Sequence, residues 1–496
     1  DENDLETHGT FAMQLPPTYN SISNDPKWES HYMDRIMRLY QRDKIRGNTS
    51  VIMWSLGNEA GGYHNTDAMY DYLKQHSPLP VHYESAIHCK RQAYDVGSEM
   101  YPSVKMVHNV GEKRRKQARL NDRPYFMCEY AHAMGVGPGN TEAYWQEIYN
   151  YDNLMGGCVW EMVDHAVLHT DGSYTYGGDH GEWEHDRNFC VDGLFYPDRS
   201  PSTGAKLMRF IYRPIRVAHV SGGQFEVFNT TAFSTGRYRL AFRWNDGSKT
   251  ILTPQTAPLT KETVTVPLGR AVDGLLAVIV ETTDTVTGQI VSEEQLVLAQ
   301  EVAAAPAVKP LPGDVAVEKG RLVCRKSGVV VAAGADEGTL LYRAPTDNDV
   351  DAMFHNLMVL YTRQTEETVS TQQTADGWQV VTKITNKRGR YMVTDTYKGT
   401  DSGVLVTSVL HRISGSQEIP RFGKTFRLDE FFDAVHYVGR SGESYCDMKD
   451  QFPIRAVDCT VADMTEPNLR PQESGNRMDC TVASVSDGKT CVVFEA

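Results

Sequence analysis

Val51-Ile52-Met53-Trp54-Ser55-Leu56-Gly57-Asn58-Glu59 is the stretch whose reading decides the fold. Its first six residues are apolar except for Ser55, show no alternation and stop at a glycine. A short run that is apolar on both faces reads as a strand buried on both sides, as in a parallel sheet covered by helices. The texture returns at Pro124-Tyr125-Phe126-Met127-Cys128 and Gly157-Cys158-Val159-Trp160, and more weakly at Pro80-Val81-His82-Tyr83. Helical patterns lie between these runs. Asp25-Pro26 predicts a capped start with proline at the first helical position, followed by an apolar face of Trp28, Tyr32, Ile36, Leu39 and Tyr40. Asn140 is expected to cap a second helix through Tyr144, Trp145 and Ile148. Buried strands alternating with helices predict a parallel sheet or barrel over residues 1–213.

Such a sheet carries its chemistry just past the C-terminal ends of the strands. Glu59 stands there after the run 51–56, and Glu129 after the run 124–128. Two carboxylates facing one pocket can divide the work of glycoside cleavage. One is protonated and releases the leaving oxygen; the other is ionised and attacks or activates water. Trp160, at the end of the next run, offers an aromatic wall for the C–H face of a sugar. The plainer alternatives are a solvated loop glutamate and a core tryptophan. Other chemistries fail on spacing. There is no HExxH, Ala483 stands where a phosphate loop ending at Gly488-Lys489-Thr490 needs glycine, and Gly439 to Glu443 misses the nucleophile-elbow spacing.

Beyond residue 213 the period changes to two. Tyr238, Leu240, Phe242 and Trp244 alternate with Arg239, Ala241 and Arg243, and Asn245-Asp246-Gly247 predicts a hairpin turn. Residues 214–303 therefore read as an immunoglobulin-like β-sandwich, with Leu275 to Val280 as another of its strands. Residues 304–313, rich in alanine and proline, read as a linker. Residues 314–496 read as a large second β-sandwich, which the run Cys491 to Glu495 leaves in mid-strand.

With 496 residues, more than one core is expected. The formal charge of −14 disfavours nucleic acid and anionic membranes and suits a neutral substrate. Nine cysteines without a CxxC fit a reducing compartment, and a cytoplasmic location is expected. No run is long and apolar enough for a membrane span. The opening residues are no signal peptide and do not begin with Met, so both ends read as cut.

Several motifs together resemble glycoside hydrolase family 2, and within it the large β-galactosidases of the bacterial lactose-cleaving type. They are Asp1-Glu2 with Leu5-Glu6-Thr7-His8-Gly9, Ser55 to Glu59, and Cys128-Glu129-Tyr130-Ala131-His132-Ala133-Met134-Gly135. Arg187-Asn188-Phe189-Cys190 with Asp192-Gly193-Leu194, and Arg343-Ala344-Pro345-Thr346-Asp347-Asn348-Asp349, complete the set. The resemblance spans nearly the whole chain in order. It implies a partial (β/α)8 TIM barrel followed by the two β-sandwiches. It further implies a retaining enzyme that removes terminal non-reducing β-D-galactose from lactose and other β-galactosides, with Glu59 as acid/base and Glu129 as nucleophile. Asn58, Tyr101, His132 and Trp160 would bind the sugar. Glu6, His8 and Glu59 would hold Mg2+, and the Phe189 carbonyl with Asp192 would hold Na+. Asp192 stands where the family's best-known member has Asn, and Val136 likewise replaces an Asn.

The resemblance also implies domains and barrel strands ahead of Asp1. The run 51–56 and the run ending at Trp160 are then expected to have unpaired edges, and the chain alone to have little or no activity. A homo-oligomer is expected of the full-length enzyme. Other family 2 activities, β-glucuronidase or β-mannosidase, and a catalytically silent sugar-binding protein are the competing readings.

Overall fold

The computed structural model describes residues 1–7, 22–60, 64–84, 94–114, 121–301, 306–318, 321–325, 330–331, 338–350, 363–426, 428 and 430–495. They fall into two compact units. One holds residues 1–133 and 137–162, the other residues 134–136 and 163–496.

The first unit alternates helices with short parallel strands. Asp25 accepts the Lys27 N–H at the head of a short 3-10 turn over Pro26–Trp28, and α1 (Glu29–Arg46) follows directly. Tyr32, Ile36 and Leu39 bury one stripe of α1 at helical spacing. Trp28, expected on that face, is half-exposed. The helix stops where Gly47 turns left-handed and donates to Asp43. Against this stripe pack α2 (His64–His76), through Met69 and Leu73, and the strands β1 (Trp54–Ser55) and β2 (Val81–His82), which pair in parallel.

β1 is shorter than the run that predicts it: Ile52 is exposed, and burial begins at Trp54. Its far edge is not bare, contrary to expectation. Residues 1–6 run parallel along it, with bridges Glu2 to Ser55 and Glu6 to Asn58. Ser55 donates to the Asp1 carbonyl, and Asn58 to the Leu5 carbonyl at 2.9 Å. Gly57 makes the approach possible, because a β-carbon there would stand 2.7 Å from the Leu5 carbonyl oxygen.

Three further strands form a parallel sheet in the order β3 (Gly97–Met100), β4 (Tyr125–His132), β5 (Leu154–Trp160). Helix α3 (Val104–Gly111) is capped by Ser103, and α4 (Thr141–Asn150) precedes β5. Asn140 stands at the head of α4 but in a left-handed conformation, with no side-chain capping bond. β5 lies at the edge of its sheet, and buried and exposed residues alternate along it. Met155, Cys158 and Trp160 are exposed along it, so the expectation of full burial fails there.

In the second unit the hairpin β6 (Val167–Leu168) and β7 (Tyr174–Thr175) precedes α5 (Thr203–Ile211). Seven strands then make two antiparallel sheets: β8 (Ile215–Ser221), β9 (Gln224–Asn229), β10 (Tyr238–Trp244), β11 (Lys249–Leu252), β12 (Lys261–Thr265), β13 (Leu275–Asp284) and β14 (Ile290–Gln300). The orders are β11-β10-β13-β14 and β12-β9-β8. Their inward residues, among them Val217, Phe225, Leu240, Phe242, Trp244 and Val280, form one core. The turn after β10 forms as its sequence demands, with Gly247 at φ +84°. Arg213 and Glu294, both buried, pair at 3.1 Å, and Glu294 also accepts the Val217 N–H.

Residues 309–311 are pinned rather than free. Lys309 donates to the Gly399 carbonyl, and Leu311 packs beside Val380 and Tyr397. A small sheet of β15 (Val315–Glu318), β16 (Arg321–Cys324) and β17 (Val330–Val331) follows, and then β18 (Thr339–Leu340) and α6 (Asp347–Val350). Long hairpins come next: β19 (Thr365–Thr374), β20 (Gly377–Asn386), β21 (Gly389–Gly399) and β22 (Val404–Gly415), hydrogen-bonded in that order. β23 (Gly423–Lys424) pairs with β18. The last sheet runs β25 (Ile454–Thr460), β24 (Ala434–Arg440), β26 (Val482–Ser486), β27 (Cys491–Glu495). Among the described residues no helix is long and apolar enough to cross a membrane.

Candidate active site

Strand β4 is irregular where its sequence turns from apolar to charged. The register with β5 shifts between Met127 and Ala131, and that with β3 between Ser98 and Met100. Such a bulge re-aims side chains, and Glu129 stands inside it. The Tyr101 backbone N–H donates to the Glu129 carbonyl, and the Tyr101 hydroxyl donates to the Glu129 carboxylate, both at 2.6 Å. Tyr101 holds φ at +45°, and Glu59 holds φ at +41°. Non-glycine residues in this region cost roughly 1–3 kcal/mol each and gather at functional sites.

Burial pushes the Glu129 carboxyl above its ordinary pKa; the Tyr101 hydroxyl opposes this, and the charges of Glu59, Glu2 and Glu6 add to the rise. The charge of one sequence-predicted glutamate, Glu59, thus acts on the other, Glu129. His132, at the end of β4, lies opposite Trp160 across the β4–β5 pairing, and its ring is 6.2 Å from that of Tyr101. Trp160 keeps 39% of its surface exposed, so it is not part of the core. Asn58 is half-buried in the bridge to Glu6. Glu59, Asn58, Tyr101, Glu129, His132, Trp160 and Glu6 thus all belong to the first unit. Cys128, the nearest rival nucleophile, has its thiol pushed up to about 12, mainly by burial, and stays un-ionised near neutrality.

The sequence reading missed the support beneath the glutamates. Ser55 donates to Glu2 at 2.7 Å and lies 3.2 Å from His82 Nδ1; His82 Nε2 lies 2.7 Å from the Ser98 hydroxyl. Burial pushes His82 down to about 4, so it is a neutral imidazole linking β1, β2 and β3. The polar residues inside otherwise apolar runs, Ser55 and His82, were the available signal.

Two cation sites can be weighed. The Glu6 to Asn58 bridge sets Glu6 beside the residue preceding Glu59, and both carboxylates act on Glu129. A cluster of negative oxygen donors suits a hard divalent ion. His8 lies outside the described residues. Asp192, in the second unit, is buried and raises the carboxyl of Asp164, which burial first and then Asp192 and Asp347 push up to about 6. Phe189 is half-buried two residues before Val191 in the same turn region. Among the described residues no three His, Cys, Asp or Glu side chains already stand as a metal-binding group.

Residues 1–217 match the TIM barrel domain of glycosyl hydrolases family 2, and residues 318–496 match the beta galactosidase small chain. The chain belongs to glycoside hydrolase family 2. Within the family, a beta-galactosidase of Priestia megaterium is 29% identical over 539 aligned positions, covering 98% of this chain and 51% of the relative. One of Pectobacterium atrosepticum is 40% identical over 212 positions, covering 40% of this chain and 20% of the relative. The chain spans about half the length, or less, of these curated relatives. A solved beta-glucuronidase 3 of Bacteroides uniformis is 11% identical, with 96% of this chain and 54% of that one covered, at a TM-score of 0.29. A likeness that low carries no argument.

Proposed function

We propose that the protein is a retaining β-galactosidase that hydrolyses terminal non-reducing β-D-galactosides, lactose among them, by double displacement. The observation that carries this reading is Glu129, seated in the bulge of β4 with the Tyr101 hydroxyl at 2.6 Å and within the field of Glu59. Glu129 attacks the anomeric carbon while Glu59, protonated, gives its proton to the departing glycosidic oxygen. Glu59, now ionised, takes a proton from water, which attacks the anomeric carbon and frees Glu129 with the starting configuration restored. The Tyr101 hydroxyl opposes the push of burial on Glu129 and so favours its ionised form. Asn58 holds the 2-hydroxyl, His132 contacts the ring, and Trp160 supplies its platform.

Magnesium, if bound, would be held by Glu6, Glu59 and His8, and would supply positive charge that offsets the crowded carboxylates. Sodium would be held by the Phe189 carbonyl and Asp192. The architecture we propose is part of a TIM barrel over 1–213, an immunoglobulin-like sandwich over 214–303, a short connection, and a large sandwich over 314–496. A panel of nitrophenyl β-D-galactoside, β-D-glucuronide and β-D-mannoside tests the glycone. Galactoside is expected to be hydrolysed at least about a hundredfold faster than either, as a site built for specific hydroxyls discriminates. Preference for the glucuronide or mannoside would assign a different family 2 activity.

A further inference from the structure

Resting on that reading, the geometry points to Asn348, Asp347 and Gln472 as positioning residues for the peptide that follows the nucleophile strand. β4 carries Glu129 and His132, and the chain then enters the turn Met134–Val136, which belongs to the second unit. That turn is gripped. The Asn348 side-chain amide donates to the Met134 carbonyl at 2.8 Å. Gly135 holds φ at +67°, and a β-carbon on it would stand 2.6 Å from the Gln472 side-chain oxygen and 3.4 Å from the Asp347 nitrogen. A side chain at 135 would be strained by that φ and would have to displace the Gln472 amide.

The grip is itself braced. Gln472 accepts the Asp347 N–H at 3.1 Å and donates to the Asp347 carboxylate at 3.0 Å, and Arg470 reaches the other carboxylate oxygen at 3.3 Å. Asp347 is buried, so its charge is held by these partners. The short helix that presents Asp347 and Asn348 is fixed at its head by Asp349, which accepts from both the Thr346 N–H and hydroxyl. These contacts give a use to the motif Arg343 to Asp349, which the chemistry of the two glutamates leaves unexplained.

The turn begins two residues after His132, so its conformation constrains where that ring can stand. A held turn leaves the sugar-binding peptide ready before substrate arrives; a loosened one populates the competent form only part of the time, and apparent affinity falls by that fraction. The effect should therefore fall on KM and not on kcat.

The test is Asn348→Ala in the intact protein, with nitrophenyl β-D-galactoside kinetics and hydrogen exchange of the amides at 134–136. We expect KM to rise about tenfold, the value of one partly buried hydrogen bond, with kcat within about twofold, and exchange at 134–136 to quicken about tenfold. Gly135→Ala should raise KM more, and adding Gln472→Ala should recover part of the loss by removing the clashing oxygen. A merely structural contact would lower Tm with KM unchanged, and that result in a folded Asn348→Ala protein would overturn the assignment. If the parent protein does not hydrolyse galactosides, the proposed function fails, and exchange alone then decides the grip: unchanged protection at 134–136 would overturn it.

Discussion

Strands β4 and β10 are of nearly equal length and have opposite characters. β10 pairs with β13 from Tyr238 to Trp244 without a register shift, and its inward side chains are buried in the shared core. β4 breaks register with both neighbours around Glu129 and is followed by a glycine at positive φ. Their electrostatics differ in the same direction. Near β10, Asp284 is matched by Arg237 at 2.6 Å, and Glu294 by Arg213. At β4, the charges that act most on Glu129 are those of Glu59, Glu2 and Glu6. β10 keeps its register along its whole length with β13, whereas β4 gives up register around Glu129, as a strand that serves chemistry is expected to do.

This contrast can be broken by substitution. Glu59→Ala should lower kcat/KM for unactivated galactosides such as lactose by about 10⁴-fold, the upper range for a general acid. Nitrophenyl galactosides should suffer less, and azide should restore them; equal losses on both substrates would contradict the role. Phe242→Ala should cost about 3–5 kcal/mol of stability, read by denaturant unfolding, and leave kcat and KM of the folded protein unaltered. A kinetic effect without loss of stability would show that the core of the β8–β14 sheets is not merely structural.

Tyr101→Phe should lower kcat/KM by about tenfold and change its pH dependence. The hydroxyl holds the Glu129 pKa down against burial, so its removal raises that pKa further. The nucleophile must be ionised, so the acid limb of the profile should move to higher pH. A limb that stayed in place or moved to lower pH would disprove the coupling.

The contrast also explains what the sequence made legible. The rear hairpin could be read from Tyr238 to Gly247 because alternation and the Asn-Asp-Gly turn act locally. The strands before Glu59 and at Glu129 could be read from the apolar runs that announce them, although β1 is only Trp54–Ser55 and β4 continues through Glu129 to His132. The pairing of residues 1–6 along β1 could not, since it depends on backbone bridges with no side-chain period and on the space left by Gly57. β5 misled because apolar composition does not reveal whether both faces of a strand are covered. The partners of Met134 and Gly135 lie more than two hundred residues away in sequence, where no local pattern can point to them.

The central claim is that Glu129 forms a covalent bond to the sugar. Incubation of the intact protein with an activated 2-deoxy-2-fluoro-β-D-galactoside, followed by proteolysis and mass spectrometry, tests it directly. The account predicts one added fluoro-galactosyl group, located on Glu129 in the peptide spanning β4, and none in Glu129→Gln. A label on Glu59, or full labelling of Glu129→Gln, would contradict it.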